Sequence, residues 1–381
     1  VLFVVLCATP AAAQTIGQVL SFLLTNRSIS TGDFTRDEQA AAATRDAMGA
    51  FLLNELTTFP TTSPAGGFTY RLDPALGTNV RSSDSFGPFF TERSLTVGRR
   101  HGSLTVSYGQ ASFDTLDGRA LRNGTLVAIA SQLHGESQPF DVETLTLRIQ
   151  TRTTTVTGQF GVTDRIDIGV AVPFVRIDLS GSRVDTLRAT AFPEASAVAA
   201  ASGLGDTLIR AKFNALRSGG SGLAFGCDVR LPTGDTENFL GSGDVIVIPH
   251  VIASVEHDRV SVHGDVGYST GGPSNELDYG GAATVVAGRR LTFVAEAVGR
   301  HLASAGDLVY VTEPRPGLVG VDTIRLTSTN QSTTRLSVVA GIRWNVGGRW
   351  LVSASVLRPI TTVGLNARWV PTMTVDYSFG R

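Results

Sequence analysis

From Gly66 onward the chain repeats one pattern: short stretches in which apolar and polar residues alternate, separated by turns. The clearest stretch runs Ile166, Ile168, Val170, Val172 and Phe174, interleaved with Asp167, Gly169, Ala171 and Pro173. Another sets Leu223, Phe225, Cys227, Val229 and Leu231 against Ala224, Gly226, Asp228 and Arg230. A third sets Leu336, Val338, Ala340, Ile342, Trp344 and Val346 against Arg335, Ser337, Gly341, Arg343 and Asn345. Side chains alternate across a strand, so each stretch offers one face to lipid and one to water. Strands of about 10 residues divided in this way are the units of a transmembrane barrel.

The turns sharpen the reading. Tight ones fall at Arg99–Gly102, Thr163–Arg165, Arg217–Gly220, His257–Arg259, Gly288–Arg290 and Gly347-Gly348. Long ones fall between them, at Asp114–Asp141, Arg176–Gly203, Pro232–Gly243, Thr270–Leu277, Ala303–Thr333 and Pro359–Arg368. Short periplasmic turns alternating with long extracellular loops produce this order, whereas a soluble sandwich has no reason to. With Gly67–Leu72 and Glu92–Gly98 as the first two strands, the expectation is an all-β, antiparallel transmembrane barrel of about 14 strands, with 12 and 16 open. Its home is the outer membrane of a Gram-negative-type bacterium.

Composition agrees. Charged residues make up 17%, well below the ~25% of soluble domains. No stretch of about 20 apolar residues is present, so membrane helices are excluded. Net charge is −1 with no basic block, which argues against nucleic acid as a partner. Of the 2 cysteines, Cys227 is the one beyond the leader and reads as a small apolar wall residue.

Ahead of the barrel lie two other segments. Val1–Thr9 is apolar and Pro10-Ala11-Ala12-Ala13 ends in a cleavage signal, so residues 1–13 read as a signal peptide. Residues 14–65 read as a helical segment: Asp33 or Thr35 can cap a helix that Pro60 and Pro64 end. Met48, Phe51, Leu52 and Leu56 form its apolar face. The segment is a periplasmic arm or a plug in the lumen, and a plug gives that face a partner. Residues 66–381 form the barrel. The last strand, Trp369–Phe379, carries Met373, Val375, Tyr377 and Phe379 on one face, like the C-terminal signal read by the barrel-insertion machinery.

Inward positions include Arg210, Lys212, Asp228, Arg230, His263, Asp265, Glu296, Arg300 and Arg343. They either line a passage or pair across strands and merely solvate the lumen. No catalytic set stands out. His101-Gly102-Ser103 has suitable residue types but sits in a tight turn with no acidic orienter adjacent. His250 and His263 point inward on neighbouring strands without an evident third ligand. The expectation is no enzyme, no metal and no cofactor.

Several phrases resemble an outer-membrane family of transporters of the meta-pathway of phenol degradation. They are Ser85-Phe86-Gly87-Pro88 with Glu92-Arg93, Gly161-Val162-Thr163-Asp164-Arg165, Gly203-Leu204-Gly205-Asp206 and Leu231-Pro232-Thr233-Gly234-Asp235. A looser similarity is to long-chain fatty-acid channels, which also place an N-terminal plug in a barrel. The resemblance implies uptake of small hydrophobic or aromatic compounds across outer-membrane lipid. The alternatives are a general or structural barrel without selective transport and, third, an outer-membrane lipid hydrolase.

Overall fold

The computed structural model describes residues 14–24, 48–53, 55–56, 63, 67–73, 78–304, 307–315 and 318–380. The signal peptide expected at 1–13, and most of the helix expected from Thr35, lie outside these residues.

The alternating stretches become wall strands. They are β1 (His101–Leu116), β2 (Asp141–Gly161), β3 (Ile166–Leu187), β4 (Thr207–Ser218), β5 (Ser221–Leu231) and β6 (Ile246–His257). They continue as β7 (Val260–Ser269), β8 (Glu276–Val286), β9 (Leu291–Leu302), β10 (Thr333–Gly347), β11 (Trp350–Pro359) and β12 (Val370–Gly380). Each pairs antiparallel with the next, and β12 pairs with β1, closing a ring of 12 strands. Closure satisfies every wall backbone group without an open edge, as a bilayer demands. The register matches the alternation: Ile168, Val170 and Phe174 are exposed on the outside, whereas Asp167 and Ala171 are buried inside. Cys227 is also on the outside. A closed barrel with an apolar exterior is an outer-membrane protein.

The ring has two strands fewer than expected, and each loss has its own physical cause. Near the base, Tyr70–Asp73 pairs with Thr78–Arg81 in a separate two-stranded sheet instead of joining the wall. Glu92–Gly98 is not a strand at all. Its residues are buried, and wall side chains bond its backbone in place of a neighbouring strand. Where side chains inside a lumen satisfy the backbone, alternation no longer implies a ladder.

Arg176–Gly203 also differs from the expected loop. β3 continues to Leu187, and Thr190–Leu204 returns along it toward β4. Between them, at Gly205-Asp206, the returning strand is interrupted. Other short strands extend the wall at the long-loop end, including a hairpin of Leu308–Pro314 with Val321–Ser328 that pairs with Leu126–Leu133.

Inside this wall sits helix α1 (Ile16–Leu24), whose Ile16, Val19, Leu20, Leu23 and Leu24 are buried. The free N–H groups of its first turn find partners on the loop after β5: Ile16 donates to Asn238 Oδ1 at 3.1 Å and Gly17 to the Glu237 carbonyl at 2.9 Å. Arg183 Nη1 donates to the Leu23 carbonyl at 3.3 Å, near the helix end. Residues 48–53 are also helical. Met48, Phe51 and Leu52 are buried in the same apolar cluster as α1, Leu147 and Ile149 of β2, and Val339 of β10, with Leu56 packed against it.

Candidate functional site: the filled lumen

Residues 83–97 form a strap that rises from the barrel base to mid-lumen at Phe90 and returns. Ser85 Oγ meets Ser261 Oγ at 3.0 Å near the foot of β7. At the apex the Glu296 carboxylate accepts N–H groups from Phe89, Phe90 and Thr91, the latter two at 2.9 Å. Asp265 accepts from Glu92 at 3.1 Å, Ser254 Oγ from Ser94 at 2.9 Å, and Asp167 from Val97 at 2.9 Å. Donors complete the set. Arg343 Nη2 reaches the Pro88 carbonyl at 2.6 Å, and Lys212 Nζ reaches the carbonyls of Arg93 and Leu95 at 3.2 and 2.9 Å. Arg343 also lies over the Phe89 ring, 4.4 Å from its centroid. These charge-assisted bonds are individually among the stronger ones available to a backbone.

Several of the expected inner residues bond to the strap. Lys212, Asp265, Glu296 and Arg343 hold the strap. Arg210 joins strap to wall: it pairs with Glu92 and with Asp228 on β5, with Nε 2.7 Å from Asp228 Oδ1. Glu92 is buried and also meets Lys212 at 3.8 Å and the Ser63 hydroxyl. Arg300 pairs with Glu276 on the adjacent strand, Nη2 to Oε2 2.6 Å. His263 Nδ1 lies 2.9 Å from Ser254 Oγ, and His250 Nε2 lies 3.7 Å from Asp228. Arg230 borders both lumen cavities. His101, the nucleophile-partner candidate, stacks on Tyr70 at 4.3 Å, and its Nδ1 meets the Arg99 carbonyl at 3.0 Å.

Two motifs far apart in sequence meet at the strand interruption. Asp206 accepts from the Gly234 N–H at 3.1 Å and from the Ser242 N–H and hydroxyl at 2.7 Å each. Thr233 Oγ1 donates to the Gly205 carbonyl at 2.7 Å. The knot leaves no room for a side chain at Gly241, whose Cβ would stand 2.3 Å from Asp206 Oδ1. It folds the loop after β5 inward and buries Phe239 and Leu240 in the lumen. No sequence pattern announced that inward turn, although both motifs were visible.

These intrusions divide the remaining space. One cavity lies between β12, β1, β2, β3 and β4. Its wall includes Leu56, Phe90, Ala111, Phe113, Pro173, Val175, Leu208, Phe239, Leu240 and Val370, with Thr151, Thr153 and Thr155 on β2. The second lies against β4 to β9, beside Arg210, Asp228, Asp265, Glu276, Asp278 and Arg300. Phe90 and Arg230 border both.

Over residues 128–362 the sequence matches the family described as "Putative MetA-pathway of phenol degradation". The chain belongs to that family. The Gly203-Leu204-Gly205-Asp206 and Leu231-Pro232-Thr233-Gly234-Asp235 phrases, both inside the matched region, are the two halves of the knot. Ser85-Phe86-Gly87-Pro88 and Glu92-Arg93 are the strap, which precedes the matched region. No curated protein matches the sequence. Among solved structures, the barrel is similar to the COG4313 outer membrane channel from Pseudomonas putida F1, with TM-score 0.49, 11% identity and coverage of 75% of this chain and 98% of that one. It is also similar to a Pseudomonas aeruginosa FadL homologue, with TM-score 0.32, 11% identity and coverage of 85% and 98%. The CymD monoaromatic hydrocarbon channel gives TM-score 0.28, 7% identity and coverage of 74% and 89%.

Proposed function

We propose that this phenol-degradation family member is an outer-membrane channel for small hydrophobic or aromatic compounds, and that residues 14–65 are its plug. The observation that carries the reading is the apolar cavity between Phe90, Phe113, Phe239 and Leu240. A water-filled porin has a polar interior; an apolar pocket with few polar groups is what a hydrophobic solute needs to leave lipid or water. The Thr151, Thr153 and Thr155 hydroxyls give such a solute a few hydrogen-bonding partners without charge. The plug reading draws support from the buried Met48, Phe51 and Leu52, which would be an association liability if exposed.

Uptake by cells expressing the full chain tests this. An uncharged monoaromatic probe should enter several-fold faster than a sugar of similar mass, and Phe239→Asp should abolish the difference while leaving barrel yield unchanged. Equal entry of both probes would favour the general-barrel reading. Deleting Gln14–Ser63 should raise conductance in planar bilayers; unchanged conductance would place that segment outside the permeation path.

A further inference from the structure

We propose that the outer face of the arc from β11 through β12, β1 and β2 to β3 binds the phosphates of an anionic glycolipid in the outer leaflet. On β3 the outward apolar run Ile166, Ile168, Val170, Val172, Phe174 ends at Arg176. On β2 the outward positions rise from Phe160 and Val156 to Arg152 and Arg148. On β11 Trp350, Val352 and Val356 give way to Arg358. Arg368 and Trp369 stand above Met373, Val375 and Phe379 of β12. Arg122 lies across β1, donating to the Phe113 carbonyl at 3.1 Å and pairing with Asp114 at 3.0 Å.

The register sets these arginines side by side. Arg152 is directly opposite Arg176 on one flank and Gln110 on the other. Leu357 is opposite Val370, which brings Arg358 onto the Trp369 ring, 4.9 Å from its centroid. Two like charges facing each other across a ladder repel. Among the described residues, only Asp114 and Asp178 bring carboxylates to outward positions of this arc, against six arginines. Asp178 already takes Arg176 at 2.9 Å and Arg152 at 3.8 Å. Arg152 and Arg176 nevertheless remain about half exposed, at 43% and 51%. The outward positions of β5 through β9 hold no lysine or arginine. The charge is confined to one side of the barrel, at the upper edge of its apolar face.

That placement selects the occupant. Acyl chains would lie along the apolar runs below, and guanidinium groups bind phosphate oxygens bidentately. Five strands at about 4.8 Å spacing make the patch roughly 20 Å wide, which suits a glycolipid bearing two phosphates better than a single phosphodiester.

Native mass spectrometry of the detergent-purified full chain tests the assignment, with three probes: bisphosphorylated lipid A, its dephosphorylated form and phosphatidylglycerol. Lipid A should bind at least tenfold more tightly than either of the others. The triple variant R152Q/R176Q/R358Q should lose at least tenfold in lipid A affinity while still migrating as a folded barrel on unheated gels. Equal binding of the dephosphorylated form, equal binding of phosphatidylglycerol, or undiminished binding by the triple variant would each overturn the proposal. If the triple variant fails to fold, the three-probe comparison on the unaltered chain decides alone.

Discussion

Glu92 is where the lumen's charges converge, since Arg210, Lys212 and the Ser63 hydroxyl all meet its carboxylate. Glu92→Gln keeps the shape but leaves Lys212 buried with carbonyl partners alone. Removing one member of a buried ion pair costs about 3 kcal/mol, so the temperature at which the folded band converts on heating should fall clearly below that of the unaltered chain. A second substitution reads the wall. Val170→Arg sets a cation against lipid at mid-strand, at a cost of roughly 2–4 kcal/mol. Ala171→Ser, one residue on, faces the lumen and should insert with normal yield; equal yields would mean a shifted register in β3. Eight charged residues and His263 were expected on inward positions because strand periodicity is strict. Their partners were not legible, because Glu296 and Phe89 lie some 200 residues apart and nothing local records a lumenal contact.

Among the elements, the strap shows where alternation misleads. Leu95 and Val97 alternate with Ser94 and Thr96 as in a strand, yet all four are buried. The pattern reports two different surroundings on two sides, and a lumen supplies those as readily as a bilayer does. The knot makes its own prediction. Asp206→Ala removes the acceptor for Gly234 and Ser242, so the loop after β5 should lose its inward fold. Limited proteolysis of whole cells should then cut within 234–242, where the unaltered chain resists. Continued resistance would show that the contacts with α1 suffice to hold the loop.

At the scale of the whole molecule, the barrel, its antiparallel order and the sorting of short and long turns were all readable, since each follows from repeats along the chain. The ring size was not, because counting strands assumes that every alternating stretch reaches the wall. The interior filling has a consequence for the cell. A ring of 12 strands is wider than the eight-stranded barrels whose wall side chains alone fill the interior, so something else has to occupy its middle if it is to be closed. Here the occupant is tied to β3, β4, β6, β7, β9 and β10 by named bonds, so it cannot drift out with ordinary thermal motion. Cells producing a chain with Glu296→Ala and Lys212→Ala together should become sensitive to large hydrophilic antibiotics that normally fail to enter. On the channel reading proposed above, the strap would be a seal that an admitted solute has to pass around.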